Sequence, residues 1–260
     1  MQRTVALVTD FGMRDHYVGV MKGVILSINP SVHLVDISHE VDSQDVTSAY
    51  FLLQNSYRYF PKGTIFVVVI DPEVGTDRSI IVVETSDYLF LAPDNGVLGF
   101  LDRGDPIRSI HEVTNTRLML QPVSNTFQGR DIFAPAAGHL SKGLPPAKLG
   151  PPIRHIRHLE SAKSHAAGEG VILGEVISVD KFGNLITNID AEPVRQSGAV
   201  EIKLGKTVIR ELSRAYADKK RGKLVALVGS SGTIEIAVTN GSASRKTGAK
   251  VGSVVRVTHR

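Results

Sequence analysis

In the stretch VVVIDPEVGTDRSIIVV, Asp71 closes one apolar run and Arg78 opens the next, with Pro72 and Gly75 supplying turn chemistry between them. Two strands joined this way bring an acid and a base within ion-pair distance. Such a pair provides either a fixed anion able to orient water or a salt bridge that ties down a loop, and the pattern leaves both readings open. A second stretch, SNTFQGRDIFAP, reads as a loop entering a helix. It offers Thr126, Gln128, Arg130 and Asp131, but no His, Cys or Lys to move a proton near neutral pH. A third, SVDKFGNLITNID, places Asp180, Phe182 and Asn184 around a glycine. Phe182 suits stacking on a planar ring, and the Asn184 amide both donates and accepts. The same residues also suit a hairpin turn with Asn and Gly in left-handed conformations.

Further acids fall at the ends of apolar runs. Asp10 is followed by Phe11-Gly12, and ligand binding and helix capping fit it equally well. Asp36 reads as a capping residue. The isolated histidines of RDHY and ISHE read as surface or capping groups rather than metal ligands. Asp10, Asp36 and Asp71 together raise a metal-dependent phosphoesterase as one reading, but the sequence supplies no His-rich second shell for it. GSSGTIEIAVTNGSAS sets two Gly/Ser-rich turns around a strand, which suit backbone contacts to a ligand. The chain contains no P-loop, dinucleotide fingerprint, Gly-x-Ser-x-Gly elbow or helical His pair at metal-ligand spacing.

These groups need a scaffold, and the hydrophobic pattern describes one. TVALVTD, VHLVDIS, TIFVVVID, SIIVVET and YLFLAPD read as strands, while HYVGVMKGVILSIN and DVTSAYFLLQNSYRYF carry apolar residues at helical spacing. Strands alternating with helices predict an α/β layer with a largely parallel sheet. In such a sheet ligands bind beyond the carboxyl ends of the strands, where the acids fall. From about Ser164 the character changes. SAKSHAAGEG reads as a linker, and VILGEVISVD, NLITNI, AVEIKL, KTVIREL, LVALVG, TIEIAV and SVVRVTH read as short strands of a barrel or sandwich. The expected organisation is an α/β domain over residues 1–163 and an all-β, barrel-like domain over 164–260.

Composition narrows the function classes. Apolar residues make up 42% of the 260 residues and charged residues 22%, as in ordinary globular proteins. No stretch approaches the ~20 apolar residues needed to cross a bilayer, which argues against a membrane partner. The start reads as a mature cytoplasmic one, and the absence of cysteine fits a reducing compartment. A formal net charge of +4 lies largely in IRHIRHLESAKSH and ADKKRGK. These runs lack interleaved aromatics and read as solvated surface, so no nucleic-acid partner is expected.

Taken together, LVTDFGMRDHYVGVMKG, IDPEVGTDRSI, APDNGVL, TFQGRDIFAPAAGHL and DKFGNLITNI resemble the S-adenosyl-L-methionine hydroxide adenosyltransferase family, the hydrolytic relatives of fluorinase and chlorinase. The likeness spans both domains in order. It implies hydrolysis of S-adenosylmethionine to adenosine and L-methionine, with no metal and no cofactor. It also implies a homotrimer in which substrate binds between the first domain of one subunit and the second domain of its neighbour. By resemblance Asp10 holds the ribose hydroxyls, and Asp71 and Arg78 are two members of a water-activating Asp–Arg–His triad. The halogenases carry Tyr at the position of Asp71, so Asp favours the hydroxide branch. Phe182 and Asn184 contact the adenine, with Phe127 and Asp180 assigned to the substrate-binding set alongside them. Ser230 lies near the methionine portion, and Glu235, Val238 and Asn240 belong to the stretch lining the base pocket. The family reads Thr-Phe-His-Gly-Arg-Asp where this chain reads Thr-Phe-Gln-Gly-Arg-Asp, so the third triad position is Gln128. The expectation is a hydrolase slower than its His-bearing relatives. The alternative is a non-catalytic binder of adenosine or S-adenosylmethionine that has lost the triad histidine.

Overall fold

The computed structural model describes residues 3–101, 106–159, 164–195 and 199–259. The chain divides into two compact units, Met1–Leu159 and Glu160–Arg260.

The first unit is built on a six-stranded sheet in the order β2-β1-β3-β5-β4-β6. Its strands are β1 (Thr4–Thr9), β2 (His33–Ser38), β3 (Ile65–Val69), β4 (Ile80–Thr85), β5 (Leu89–Pro93) and β6 (Ile107–Glu112). β2, β1, β3 and β5 run parallel, whereas β4 is antiparallel to both β5 and β6. Helix α1 (Tyr17–Ile28) links β1 to β2, and α2 (Val46–Ser56) links β2 to β3. β3 is apolar throughout, and β1 is apolar from Val5 to Val8 before the buried Thr9 at its end, because both faces are covered. Val5, Leu7, Val67 and Val69 point into the cluster holding Met21 and Ile25 of α1 and the residues of α3 (Ala134–Ser141). Ala6, Val8, Phe66 and Val68 point into the cluster holding Ala49 and Leu53 of α2.

This order has a functional consequence. The chain leaves β1 toward β2 on one side, while β3 lies on the other, so the carboxyl ends of β1 and β3 flank a topological switch point. Thr9 pairs with Val69, which sets Asp10 and Asp71 just beyond adjacent strand ends. Because β4 runs back against β5, its first residues return to the same edge, bringing Arg78 to Asp71.

The second unit is an eight-stranded antiparallel sheet along the path β11-β10-β14-β8-β9-β13-β12, with β7 added on β8. These strands are β7 (His165–Ala166), β8 (Val171–Val179), β9 (Leu185–Asp190), β10 (Val200–Leu204), β11 (Thr207–Ile209), β12 (Leu224–Val228), β13 (Thr233–Val238) and β14 (Val254–His259). The end strands β11 and β12 approach one another, nearly closing a barrel around Val176, Ile202, Ile234, Ile236 and Val257. Short helices α4 (Glu192–Arg195) and α5 (Ala243–Thr247) complete the unit. All of the strand-like segments read from the sequence here are strands. The stretch taken as a linker falls partly outside the described residues, and its His165–Ala166 pairs with Leu173–Ile172 of β8. β6 is an element that the apolar pattern did not mark. Among the described residues no helix is long and apolar enough to cross a membrane.

Candidate active site

At the carboxyl edge of the first sheet, Arg78 lies along Asp71. Its Nε donates to Asp71 Oδ1 at 2.9 Å and to Oδ2 at 2.8 Å, and its Nη2 donates to Oδ2 as well. The two side chains are 3% and 5% exposed, so this is a buried ion pair rather than a surface one. The same Nη2 donates to Gln128 Oε1. Because a guanidinium carries only donors, its partner must be the amide oxygen, which leaves the Gln128 NH₂ as the other pole of the amide. The chain at 71–78 reaches this geometry through Gly75, whose φ is +81°. A Cβ there would stand 2.7 Å from the Asn125 carbonyl oxygen, so the two loops touch backbone to backbone.

Residues 124–133 are folded to meet that loop. Gly129–Phe133 is a π-helical stretch running directly into α3, with Gln128 at its amino end. Such widened turns recur at functional sites. Asp131, 1% exposed, anchors the loop by accepting Ser124 N at 2.8 Å, Arg130 Nε at 2.6 Å and Arg130 Nη2 at 2.9 Å. Burial pushes its carboxyl up, but the bonds from Arg130 and Ser124 outweigh that and hold it below the usual carboxylate range. Phe127 packs edge-on against Phe11 and Tyr17, at 6.1 and 5.0 Å between ring centroids, and Arg130 covers its ring at 5.4 Å. Asp10, Asp71, Phe127 and Gln128 line a common cavity of about 250 Å³. Asp10 enters it with one oxygen committed, Oδ2 accepting Gln44 N at 2.8 Å.

The second unit carries a wider pocket of about 940 Å³, lined among others by Asp180, Phe182, Asn184, Tyr216, Val238 and Asn240. Its rim is a tight loop organised by Asp180. Asp180 Oδ1 accepts Phe182 N and Asn184 N, each at 2.9 Å, and Oδ2 accepts Asn184 Nδ2 at 2.9 Å. The amide of Asn184 is thereby oriented, and the Phe182 ring stands 66% exposed with Lys181 Nζ over it at 5.1 Å. Gly183, at φ +83°, allows close approach to Ser242, whose Oγ would lie 2.1 Å from a Cβ. The segment is thus the β8–β9 hairpin turn, with Gly183 but not Asn184 in the left-handed region, and the turn holds the ring and the amide at the pocket's rim. Behind the pocket, Tyr216 OH donates to Glu235 Oε1 at 2.6 Å. Glu235 is 5% exposed, and burial, reinforced by the Asp180 charge, pushes its carboxyl up against the opposing Tyr216 bond. Burial and Glu235 push the Tyr216 hydroxyl up to about 12.

Residues 5–150 match the SAM hydroxide adenosyltransferase N-terminal domain, and residues 174–256 match the C-terminal domain of the same family. The chain belongs to the SAM hydroxide adenosyltransferase family. It is 36% identical to the (R)-S-adenosyl-L-methionine hydrolase of Thermus thermophilus over 98% of this chain and 99% of that one. A protein of the same name from Salinispora tropica is 32% identical over 98% and 97%. A fluorinase from Actinopolyspora mzabensis is 27% identical over 98% and 96%. The crystal structure of an uncharacterized conserved protein from Thermotoga maritima superposes with a TM-score of 0.91 at 38% identity, covering 98% and 100%.

In this adenosyltransferase family member the residues singled out by sequence sort clearly. Asp10, Asp71, Arg78, Phe127 and Gln128 gather in the first unit; Asp180, Phe182, Asn184, Val238 and Asn240 gather in the second. Ser230 sits exposed on the β12–β13 turn, outside that pocket's lining, and Glu235 reaches the pocket only through Tyr216. Asp36 does not cap α2. Asp45 does, accepting Ser48 N at 2.9 Å, while Asp36 binds Lys22 Nζ at 2.6 Å. His39 is neither a surface nor a capping group; it is 4% exposed, with Nδ1 2.9 Å from Thr9 Oγ1. Among the described residues no cluster of three or more His, Cys, Asp or Glu could hold a metal ion; Asp10 and Asp71 share a cavity, while Asp36 turns to Lys22 and His39. Tyr216 was hidden in SRAYADKKRGK, where the flanking charges masked a single aromatic residue.

Proposed function

We propose that this chain hydrolyses S-adenosyl-L-methionine to adenosine and L-methionine, with water attacking the ribose 5′ carbon in line with the departing sulfur. The buried Asp71–Arg78 pair with Gln128 bonded to it, at a cavity shared with Asp10, is the observation that carries the reading. A cavity of about 250 Å³ lies below the ~300–1,000 Å³ of a complete small-molecule site, as befits one part of a larger one. The second-unit pocket, with an exposed ring and an oriented amide, suits a purine. We infer a homotrimer, in the cytoplasm, in which the first unit of one subunit and the second unit of its neighbour share each substrate.

The chemistry follows from charge. The sulfonium leaves as a neutral thioether, taking the C5′–S electron pair, while a water oxygen bonds to C5′ and gives up a proton. Attack that neutralises a cation is favoured in a dry pocket, provided the nucleophile is held there. Holding water ~3–3.5 Å from the carbon supplies much of the rate through positioning. Asp71, kept in place by Arg78 along both its oxygens, accepts that water's proton. Gln128 gives its oxygen to Arg78 and keeps its NH₂ to donate to the nucleophile's lone pair. An amide cannot relay a proton at neutral pH, so its part is orientation alone. No metal or cofactor has a part in this scheme.

The test is incubation of the purified protein with S-adenosylmethionine, separating products by chromatography under single turnover. Adenosine and methionine are expected, faster with Gln128→His and lost with Asp71→Ala. Tight binding without turnover would instead support a non-catalytic binder. A Gln128→His variant no faster than wild type, beside an inactive Asp71→Ala, would remove position 128 from the proton path.

A further inference from the structure

We propose that His39 is a positioning residue for the ribose, acting through Thr9 on the loop that carries Asp10. This rests on the reading that Asp10 binds the ribose diol, and goes beyond it by naming what sets that carboxylate in place. His39 lies one residue past β2, at the edge where β1 ends. It grips residues 9–12 at two points. Its carbonyl accepts Gly12 N at 2.7 Å, and its Nδ1 lies 2.9 Å from Thr9 Oγ1.

Thr9, fully buried, already accepts Phe11 N on its hydroxyl oxygen at 3.3 Å. With one lone pair taken, the hydroxyl keeps a proton and a second lone pair, and it meets Nδ1 as donor or as acceptor. Nε2 lies 3.0 Å from Asp36 Oδ1, a charge contact without hydrogen-bond geometry, and Asp36 is held in turn by Lys22 at 2.6 Å. The ring is thus set from behind by an acid–lysine pair on β2 and α1, and it pins the β1 loop in front. Asp10 sits inside the pinned segment. With Oδ2 held by Gln44 N, its remaining oxygen has no hydrogen-bond partner among the described residues. That oxygen is the one available to a ligand hydroxyl, and its aim depends on the backbone that Thr9 and His39 fix.

A residue that only filled the core would alter stability without distinguishing ligands. The proposal makes a narrower statement: loss of the His39–Thr9 bond weakens recognition of the diol and nothing else on the ligand. Calorimetric titration of the full-length protein with adenosine and with 2′,3′-dideoxyadenosine separates the two. Wild type is expected to prefer adenosine. His39→Leu and Thr9→Val are expected to lose roughly tenfold in adenosine affinity, the scale of one buried hydrogen bond, while binding the dideoxy compound as wild type does. His39→Asn, whose side-chain amide can pair with the Thr9 hydroxyl in either sense, should keep most of the preference. In turnover the same loss should appear in KM rather than kcat. An undiminished preference in His39→Leu overturns the proposal and leaves the Asp10 reading intact. Should that variant not fold, an undiminished preference in Thr9→Val does the same. Equal binding of the two ligands by wild type overturns the Asp10 reading and this proposal with it.

Discussion

At the Asp71–Arg78–Gln128 corner, the bond from Arg78 to Gln128 joins residues 50 apart in sequence, and the two charged side chains are 3% and 5% exposed. In the second-unit pocket, the bond from Asn184 N to Asp180 spans four residues, and the ring it helps present is 66% exposed. The first arrangement exists only when the whole α/β unit has folded. The second is a local turn mounted on a barrel. This difference suits the tasks proposed for them, because a nucleophile must be held to fractions of an ångström, whereas a planar base needs a face to lie on. It also teaches where each should fail: the first in rate, the second in affinity.

The largest expected effect tests that division directly. Asp71→Asn keeps the shape and a hydrogen-bond acceptor for Arg78 but removes the proton acceptor. Single-turnover hydrolysis should fall by roughly 10²–10⁴-fold with adenosine affinity unchanged. An equal loss in both would merge the two halves into one binding surface and break the comparison. Phe182→Ala should do the reverse. Stacking of a base on an aromatic ring is worth about 1–3 kcal/mol, so adenosine should bind about tenfold or more weakly. The thermal midpoint should stay where it was, since the ring is mostly exposed. A stability loss there would mean that the ring packs as structure.

The smallest effects are in the pH dependence of stability, and they carry opposite signs. Asp131 is held below the usual carboxylate range by Arg130 and Ser124 despite burial. Its contribution is therefore present above the unfolded-state value and fades as pH falls through the folded one. Urea unfolding of Asp131→Asn should show a deficit at pH 7 that shrinks on acidification. Glu235 is pushed up by burial and by Asp180, so its contribution is complete at low pH and is lost as pH rises through the folded value. Glu235→Gln keeps an oxygen for Tyr216 and should gain on wild type between acid and neutral pH. Parallel trends in the two variants would contradict the assignment of one acid as held charged and the other as pushed toward neutral.

What sequence could reveal follows the same local-versus-distant divide. The apolar runs of β1 and β3, the helices α1 and α2, and the barrel strands β8 to β14 announce themselves through hydrophobic period and bounding turns. The Asp180–Asn184 loop was legible because its whole logic lies in five adjacent residues. β6 was not, since IRSIHE mixes charge with only part of an apolar face. Asp36 looked like a cap because it follows an apolar run, but its partner Lys22 comes from α1, the helix before it in sequence. His39 looked superficial for a related reason: its partner Thr9 lies 30 residues away, across a strand pair that only the parallel register creates. The role proposed for Gln128 rests on resemblance, yet the direction of its amide needed the position of Arg78.

The most direct measurement is to run the reaction in ¹⁸O-enriched water and locate the label by mass spectrometry. Attack of bound water on the 5′ carbon requires adenosine to carry the label at its 5′ oxygen and methionine to carry none, with the labelled product forming roughly 10²–10⁴-fold more slowly in Asp71→Asn. Unlabelled adenosine, or labelled adenosine formed as fast by Asp71→Asn as by wild type, would contradict a water-activating role for the Asp71–Arg78–Gln128 corner.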